Sequence, residues 1–75
     1  MMVDKNLLKG KIVSSGYTQE SAAKLMGISK NTLCAKINGH QRFYSDEVLR
    51  LCKILGIDTA DELAKIFYPS IPKMG

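Results

Sequence analysis

Long hydrophobic runs, cysteine and histidine are scarce in this sequence of 75 residues, and each scarcity excludes a class of protein. No stretch approaches the roughly 18 consecutive apolar residues that a membrane span requires. The N-terminus lacks the apolar stretch of a secretory signal peptide, so we expect a cytoplasmic protein with no membrane partner. Two cysteines and one histidine are too few for a metal site at their spacing. In a reducing compartment Cys34 and Cys52 are expected to remain free thiols.

The side chains that catalysis requires are also scarce. The chain has no glycine-rich nucleotide loop, and its acids fall mostly at the starts of predicted helices, where capping explains them. Cys34 and His40 form the only thiol–imidazole combination, and no third group is evident to orient them. We therefore expect neither an enzyme nor a protein with a cofactor or a small-molecule ligand.

Charge is distributed unevenly along the chain. Residues 1–42 carry seven Lys and Arg against two acids, a net +5, whereas residues 43–75 carry four against five, a net −1. This asymmetry suits a protein that turns one face to a polyanion, although many basic proteins bind no nucleic acid.

Helix-length amphipathic runs, each preceded by a capping residue and followed by Gly or Pro, recur along the chain, and no alternating run predicts a strand. We predict an all-α, compact bundle of five short helices, with one domain over residues 1–69 and an irregular tail over residues 70–75. The predicted helices span about Lys5 to Ser15, Gln19 to Met26, Lys30 to Asn38, the segment from the cap Ser45 to Leu55, and Ala60 to Tyr68. Ala22, Ala23, Leu25 and Met26 are predicted to form the inner side of the second helix. Thr59 and Glu62 are predicted to form a capping box for the fifth.

The most informative stretch covers residues 18–39. Two helices that cross at roughly 90–120° through a short turn need a glycine at the corner, and Gly27 supplies it. The first helix needs a small residue at the crossing, which is Ala23, and the second needs an apolar residue to press onto it, which is Leu33. Caps at both helix starts complete a moderately specific pattern for a helix-turn-helix.

These residues resemble the helix-turn-helix of the phage repressor and Cro family, the lambda-repressor-like fold. The residues that match the family's pattern are Gln19, Ala23, Gly27, Leu33 and the pair Asn38-Gly39. The resemblance covers most of the chain and implies that helix 30–38 enters the major groove of DNA. Lys36 departs from the pattern, because an apolar residue often occupies its place, and the aliphatic contact is expected to shift to Ile37.

Base contacts are expected from exposed polar residues in the first two turns of helix 30–38, since the major groove, about 12 Å wide, admits one helix. Lys30 can donate to guanine, Asn31 has the donor and acceptor that fit adenine, and Ala35 can touch a thymine methyl. The predicted base-contact residues are Ser29, Lys30, Asn31, Thr32 and Ala35. Without the surrounding pattern, Lys30, Asn31 and Thr32 are better explained as solvated residues of a first helical turn, whereas the pattern favours base contact.

Contacts to the DNA backbone are expected from Gln19, Lys36, Asn38 and Arg42. Gln19 opens a helix whose N–H groups can hold a phosphate oxygen, as the glutamine at this place does in the family. Arg42 matches an arginine that lies close to a narrowed minor groove in related repressors, and its alternative interpretation is a surface loop charge. His40 is interpreted as a solvated loop residue.

The predicted function is that of a sequence-specific regulator of transcription that binds double-stranded DNA, similar to phage or prophage Cro and repressor proteins. One domain of this size makes few base contacts, so we expect a homodimer on a palindromic operator, joined through residues 66–69 and the tail. The alternative is a protein-interaction module of the same fold, such as an antitoxin or a regulator partner. RNA binding is disfavoured because Phe43, Phe67 and Tyr68 are better explained by core or dimer packing.

Overall fold

Five α-helices follow one another in the computed structural model, which describes residues 3–68. They are α1 (Lys5–Ser14), α2 (Gln19–Met26), α3 (Lys30–Ile37), α4 (Ser45–Leu55) and α5 (Ala60–Phe67). No strand occurs within residues 3–68, and the predicted all-α bundle of five short helices is confirmed. Each predicted helix agrees with the observed one to within a residue at either end. The predicted tail over residues 70–75 lies outside the described part of the chain.

Short polar side chains cap the starts of four helices. Thr18, Ser29 and Thr59 each accept a hydrogen bond from the backbone N–H three residues further on, as predicted. Asp4 does the same for α1 at 3.1 Å, a cap that the sequence analysis did not identify. Each such bond pairs an N–H group that has no partner within the helix, and contributes about 1 kcal/mol.

Two predicted caps differ from the observed structure. α4 begins at Ser45 itself and is preceded by Tyr44, whose N–H donates to the Glu47 carboxylate at 3.0 Å, so Ser45 is not the cap. The predicted capping box of α5 is only half formed, because the Glu62 carboxylate does not bond back to the cap residue. It lies 3.1 Å from Nζ of Lys11 instead and joins α5 to α1.

All five helices contribute apolar side chains to one core. The buried apolar residues are Leu8, Ile12, Ala22, Ala23, Met26, Leu33, Ile37, Phe43, Val48, Leu51, Cys52, Leu55, Ile57, Ile66 and Phe67. Phe43 and Phe67 meet edge to face with ring centroids 5.5 Å apart, which confirms that these two rings pack in the core. The two ends of the described chain are joined where the Asp4 N–H donates to the Ile66 carbonyl at 2.8 Å, and α1 packs against α5.

Leu25 is an exception to the predicted inner side of α2. The buried residues of this helix are Ala22, Ala23 and Met26, whereas Leu25 is 57% exposed. A helix rotates about 100° per residue, so Leu25, one position before Met26, lies off the face that Met26 shares with Ala22. None of the helices within residues 3–68 is long and apolar enough to cross a bilayer.

Both cysteines are free thiols, as predicted. Cys52 is buried in the core on α4, and Cys34 is half-buried on α3. Burial, with a smaller contribution from the Glu62 carboxylate, raises the pKa of the Cys52 thiol above its ordinary value. Cys52 therefore packs as a small apolar side chain.

Candidate nucleic-acid interface

α2 and α3 pack against each other across a turn of three residues, 27–29. Gly27 adopts φ 76° and ψ 24°, the left-handed conformation that ends a helix at little cost only when no Cβ is present. Ala23 on α2 and Leu33 on α3 are both fully buried. Arg50 of α4 donates to the Met26 carbonyl at 3.1 Å, so this carbonyl at the end of α2 is paired by a side chain of α4.

The start of α2 is ordered by a reciprocal pair of hydrogen bonds. Ser21 N–H donates to Thr18 Oγ1 at 3.0 Å, and Thr18 N–H donates to Ser21 Oγ at 2.9 Å. These bonds use two of the first four N–H groups of the helix, and the other two, on Gln19 and Glu20, have no partner within residues 3–68. They lie at the positive end of the helix dipole, where a phosphate oxygen is stabilised.

Gln19 is half-buried, and its side chain joins α2 to α3. The Cys34 thiol donates to Oε1 of Gln19 at 2.9 Å. This bond occupies the carbonyl end of the amide and leaves its NH₂ group free to donate to a second acceptor. Gln19 therefore links the start of α2 to the middle of α3, and its NH₂ group makes no hydrogen bond within residues 3–68.

The first turn of α3 presents polar side chains to solvent. Ser29, Lys30 and Asn31 are exposed, and Thr32 and Ala35 are half-buried. The hydroxyl groups of Ser29 and Thr32 lie 2.8 Å apart and bond to each other, while Ser29 also caps the helix. Lys30 and Asn31 form no side-chain hydrogen bond or ion pair within residues 3–68, so of this group they have the freest functional groups.

Lys36 does not lie on this surface. The residue is only 4% exposed, and Nζ lies 2.9 Å from both the Arg42 carbonyl oxygen and the Glu47 carboxylate. Because Nζ is buried and bonded to groups of its own chain, it cannot contact a phosphate, and the predicted backbone contact of Lys36 is corrected. Its aliphatic stem fills the place where an apolar residue was expected, and Ile37 is buried beside it.

The loop that follows α3 presents the other predicted backbone contacts. Asn38 and Arg42 are exposed, as is His40. Gly39 has φ 86°, and the N–H of His40 donates to the Ala35 carbonyl at 2.8 Å, which turns the chain sharply at the end of α3. Arg42 forms no ion pair within residues 3–68, and its guanidinium is free to meet an external anion.

Lys9 lies near Gln19 and Lys30, although it is not among the predicted contact residues. A groove between α1 and α2 is lined by Lys9, Tyr17, Gln19 and Lys30 among others, so two lysines from different helices line the groove at the start of α2. Glu20 is the single acid in the described lining of this groove. No local pattern relates Lys9 to Lys30, since 21 residues separate them and only the packing of α1 beside α2 brings them together.

A family model matches residues 1–70 and carries the description "Protein of unknown function (DUF739)". The chain belongs to this family. No curated protein matches the chain. The DUF739 description assigns no activity, so the function of this surface has to be argued from its chemistry.

The region predicted to join two DUF739 protomers is only partly accessible. Ile66 and Phe67 are buried in the core of their own chain, so neither is free to form a dimer contact, and that part of the prediction is corrected. Tyr68 is half-buried, and Pro69 and the tail lie outside the described residues. Large apolar side chains are exposed elsewhere, namely Leu7, Val13, Leu25, Tyr44 and Leu49.

Proposed function

We propose that this protein is a sequence-specific regulator of transcription that binds double-stranded DNA through a helix-turn-helix formed by α2 and α3. The observation that carries the proposal is that exposed donors and acceptors on α3 occur together with unpaired N–H groups at the start of α2. Lys30 lines the same groove as Gln19 and Glu20, whose backbone N–H groups have no partner within residues 3–68, and Asn31 follows Lys30 in the exposed first turn of α3. The first feature suits base edges and the second suits a phosphate.

Base recognition in this proposal is carried chiefly by Lys30 and Asn31. Asn31 pairs its amide with N6 and N7 of adenine, and Lys30 donates to O6 or N7 of guanine. Ala35 is half-buried one turn further along and contacts a thymine methyl group. Ser29 and Thr32 contribute through the hydroxyl pair that they form, which retains free lone pairs for a base or a bridging water.

Contacts to the DNA backbone come from three elements. The N–H groups of Gln19 and Glu20 and the side-chain NH₂ of Gln19 hold a phosphate at the start of α2, and Lys9 and Lys30 line the same groove. Asn38 and Arg42 reach the backbone from the loop after α3, with Arg42 nearest to an adjacent minor groove. The site therefore combines positioning contacts on both flanks with base contacts in between.

We further propose that two protomers bind a palindromic operator, as Cro and short phage repressors do. A homodimer places two copies of α3 about one helical turn, roughly 34 Å, apart on the same face of the duplex. Paired half-sites are also the simplest way for so few base contacts per domain to select a sequence.

The test is selection of bound duplexes from a random library, followed by sequencing, at two salt concentrations. We expect an enriched palindrome with half-sites one helical turn apart, and loss of the preference at one position in Asn31→Ala. Asn6→Ala is the matched control, because Asn6 is also an exposed asparagine but lies on α1 in the groove with α5. Steeply salt-dependent binding without an enriched sequence contradicts base recognition, and no binding at low salt contradicts the whole proposal.

The second candidate is a protein-interaction module, and the exposed apolar side chains favour it. Leu25 on α2 and Leu49 on α4 are 57% and 60% exposed, on two helices that pack against each other. A contiguous patch of exposed apolar residues marks a contact with another protein, and the contact between α2 and α4 makes such a patch a reasonable hypothesis for these two leucines. If the library selection fails while Leu25→Ser and Leu49→Ser abolish self-association or association with another protein, this candidate replaces the first.

A further inference from the structure

Lys36 is the one charged residue buried in the core within residues 3–68. Its ammonium group has three donors, and the structure shows where they are directed. Nζ lies 2.9 Å from the Arg42 carbonyl and 2.9 Å from Glu47 Oε1, and it stands 5.2 Å from the centre of the Tyr44 ring. A carbonyl, a carboxylate and an aromatic face thus surround one cation.

All three partners of Lys36 belong to the loop after α3 or to the start of α4. Glu47 also accepts the Tyr44 N–H at 3.0 Å, so the same carboxylate holds both the cation and the end of the loop. Burial opposes ionisation of Glu47, but the hydrogen bonds from Tyr44 N–H and Lys36 outweigh it, and the pKa of Glu47 lies below its ordinary value. The Glu47 carboxylate is therefore ionised at neutral pH, and its contact with Nζ of Lys36 ties the end of α3 to the start of α4.

The loop between these ends carries the exposed Arg42. Its backbone is held at Phe43, whose ring is buried against Phe67, and at the Arg42 carbonyl, which accepts from Lys36. A carbonyl held in this way fixes the peptide plane that follows Arg42, and so restricts the directions in which the Arg42 Cα–Cβ bond can leave the chain. The Arg42 side chain itself makes no ion pair within residues 3–68, so its direction depends on the backbone beneath it.

Stability alone does not explain a lysine at this place. Buried ion pairs lose hydration, and replacing such a pair by apolar residues of similar size is often neutral or stabilising. An apolar residue at position 36 fills the same space but donates no hydrogen bond to the Arg42 carbonyl. What the lysine adds is a defined loop conformation.

We propose that Lys36 is a positioning residue, which holds the Arg42 carbonyl and Glu47 so that the Arg42 side chain is presented to the DNA backbone. This inference rests on the proposed DNA-binding function, and it assigns different roles to Lys36 and Arg42. Arg42 meets the phosphate, whereas Lys36 acts only through the loop.

The test uses the double variant Lys36→Met/Glu47→Gln, which removes the ion pair without changing the net charge. The amide at position 47 still accepts the Tyr44 N–H, so the start of α4 is preserved. Two quantities are measured, namely hydrogen exchange of the amides at 39–41, which donate to α3 carbonyls in the free protein, and DNA affinity as a function of salt. The matched control is Lys65→Met/Asp61→Asn, which removes an exposed ion pair of 3.4 Å on α5.

We expect exchange of the loop amides to rise at least tenfold in the double variant, while α2 amides and the control variant are unchanged. DNA affinity should fall to that of Arg42→Ala, about tenfold below the unmodified protein, and the slope of log K against log salt should shrink by about 0.9, as for one lost phosphate contact. Adding Arg42→Ala to the double variant should cost less than a further twofold. A general loss of stability in a variant that still folds changes neither the salt slope nor the effect of adding Arg42→Ala.

Unchanged exchange of the loop amides overturns the inference whether or not the protein binds DNA. A full tenfold loss on adding Arg42→Ala to the double variant shows that Arg42 is positioned independently, and also overturns it. If the unmodified protein binds no DNA, the proposed function fails and the role assigned to Arg42 fails with it, while the exchange data still decide whether Lys36 holds the loop. If the double variant does not fold, Glu47→Gln alone should show the same changes to a smaller degree. Loop-amide exchange and DNA affinity equal to those of the unmodified protein then also overturn the inference.

Discussion

Replacing glycine by alanine should stabilise this protein at one position and destabilise it at another, with the sign decided by the backbone alone. Gly10 lies inside α1, and Gly27 has φ 76° at the end of α2. A Cβ added at either position meets no atom within 4 Å, so neither substitution causes a clash. The two changes therefore differ only in conformational energy.

The expected magnitudes follow from the two backbone conformations. Gly10→Ala restricts the unfolded chain and favours the helix, which together stabilise the protein by about 0.8–1 kcal/mol. Gly27→Ala brings a similar restriction of the unfolded chain, worth roughly 0.4–1 kcal/mol, but places a Cβ in the left-handed region at a cost of about 1–2 kcal/mol. The net effect at Gly27 is a loss of about 0.5–1 kcal/mol.

The two variants should thus differ by roughly 1.5–2 kcal/mol in the free energy of unfolding. For a domain of this size 1 kcal/mol moves Tm by about 4–8 °C, so the two melting temperatures should be separated by on the order of 10 °C. Urea titration followed by circular dichroism gives the free energies, and equal m-values confirm that the denatured state is unchanged. Shifts of the same sign in both variants contradict the assignment of Gly27 to a left-handed turn.

Three other perturbations have expected outcomes. Leu33→Ala removes a fully buried side chain between α2 and α3 and should cost about 2–5 kcal/mol in urea unfolding, whereas a cost under 1 kcal/mol contradicts its place in the core. Because the pKa of Glu47 is lowered in the folded state, its contribution to stability is present above its ordinary value of about 4.5 and is lost as the pH falls below it. The acid limb of a plot of stability against pH should therefore flatten in Glu47→Gln, and an unchanged limb refutes this. Lys9→Ala should weaken DNA binding at low salt and reduce the salt slope by about 0.9, while Lys53→Ala on α4 should not, and equal effects of the two refute a specific role for Lys9.

The helices were predictable because their ends are encoded locally. A capping hydroxyl at Thr18, Ser29 and Thr59 and a glycine after the last turn act within four residues, so a single sequence contains the whole signal. The buried stripe of α4 is equally local, because Val48, Leu51, Cys52 and Leu55 recur at i, i+3, i+4 and i+7. Leu25 was misplaced because hydrophobicity alone does not state how wide the buried face of a short helix is.

The candidate site was less predictable, because its geometry depends on contacts between distant parts of the chain. From the sequence alone, Lys36 is indistinguishable from an exposed basic residue near the end of a helix. Only the packing of the loop against α4 places its side chain in the interior, where it bonds to Glu47. Lys9 joins the site through the packing of α1 beside α2. Ion pairs of this kind leave no periodic pattern in the sequence, whereas a cap or an apolar stripe does.

The number of free side chains on α3 bears directly on the proposed assembly. Lys30 and Asn31 are the two whose functional groups are not already bonded within residues 3–68, and a good base contact contributes about 1–3 kcal/mol of discrimination. One domain then gains roughly 2–6 kcal/mol, whereas regulators commonly separate specific from non-specific sites by about 4–10 kcal/mol. Two domains on a palindrome double the first figure and bring it into the second range. We therefore expect the protein to lose most of its preference for the selected site over non-specific DNA when the sequence of one half-site is scrambled. A preference that survives this change shows that a single protomer contacts more bases than Lys30 and Asn31 can reach.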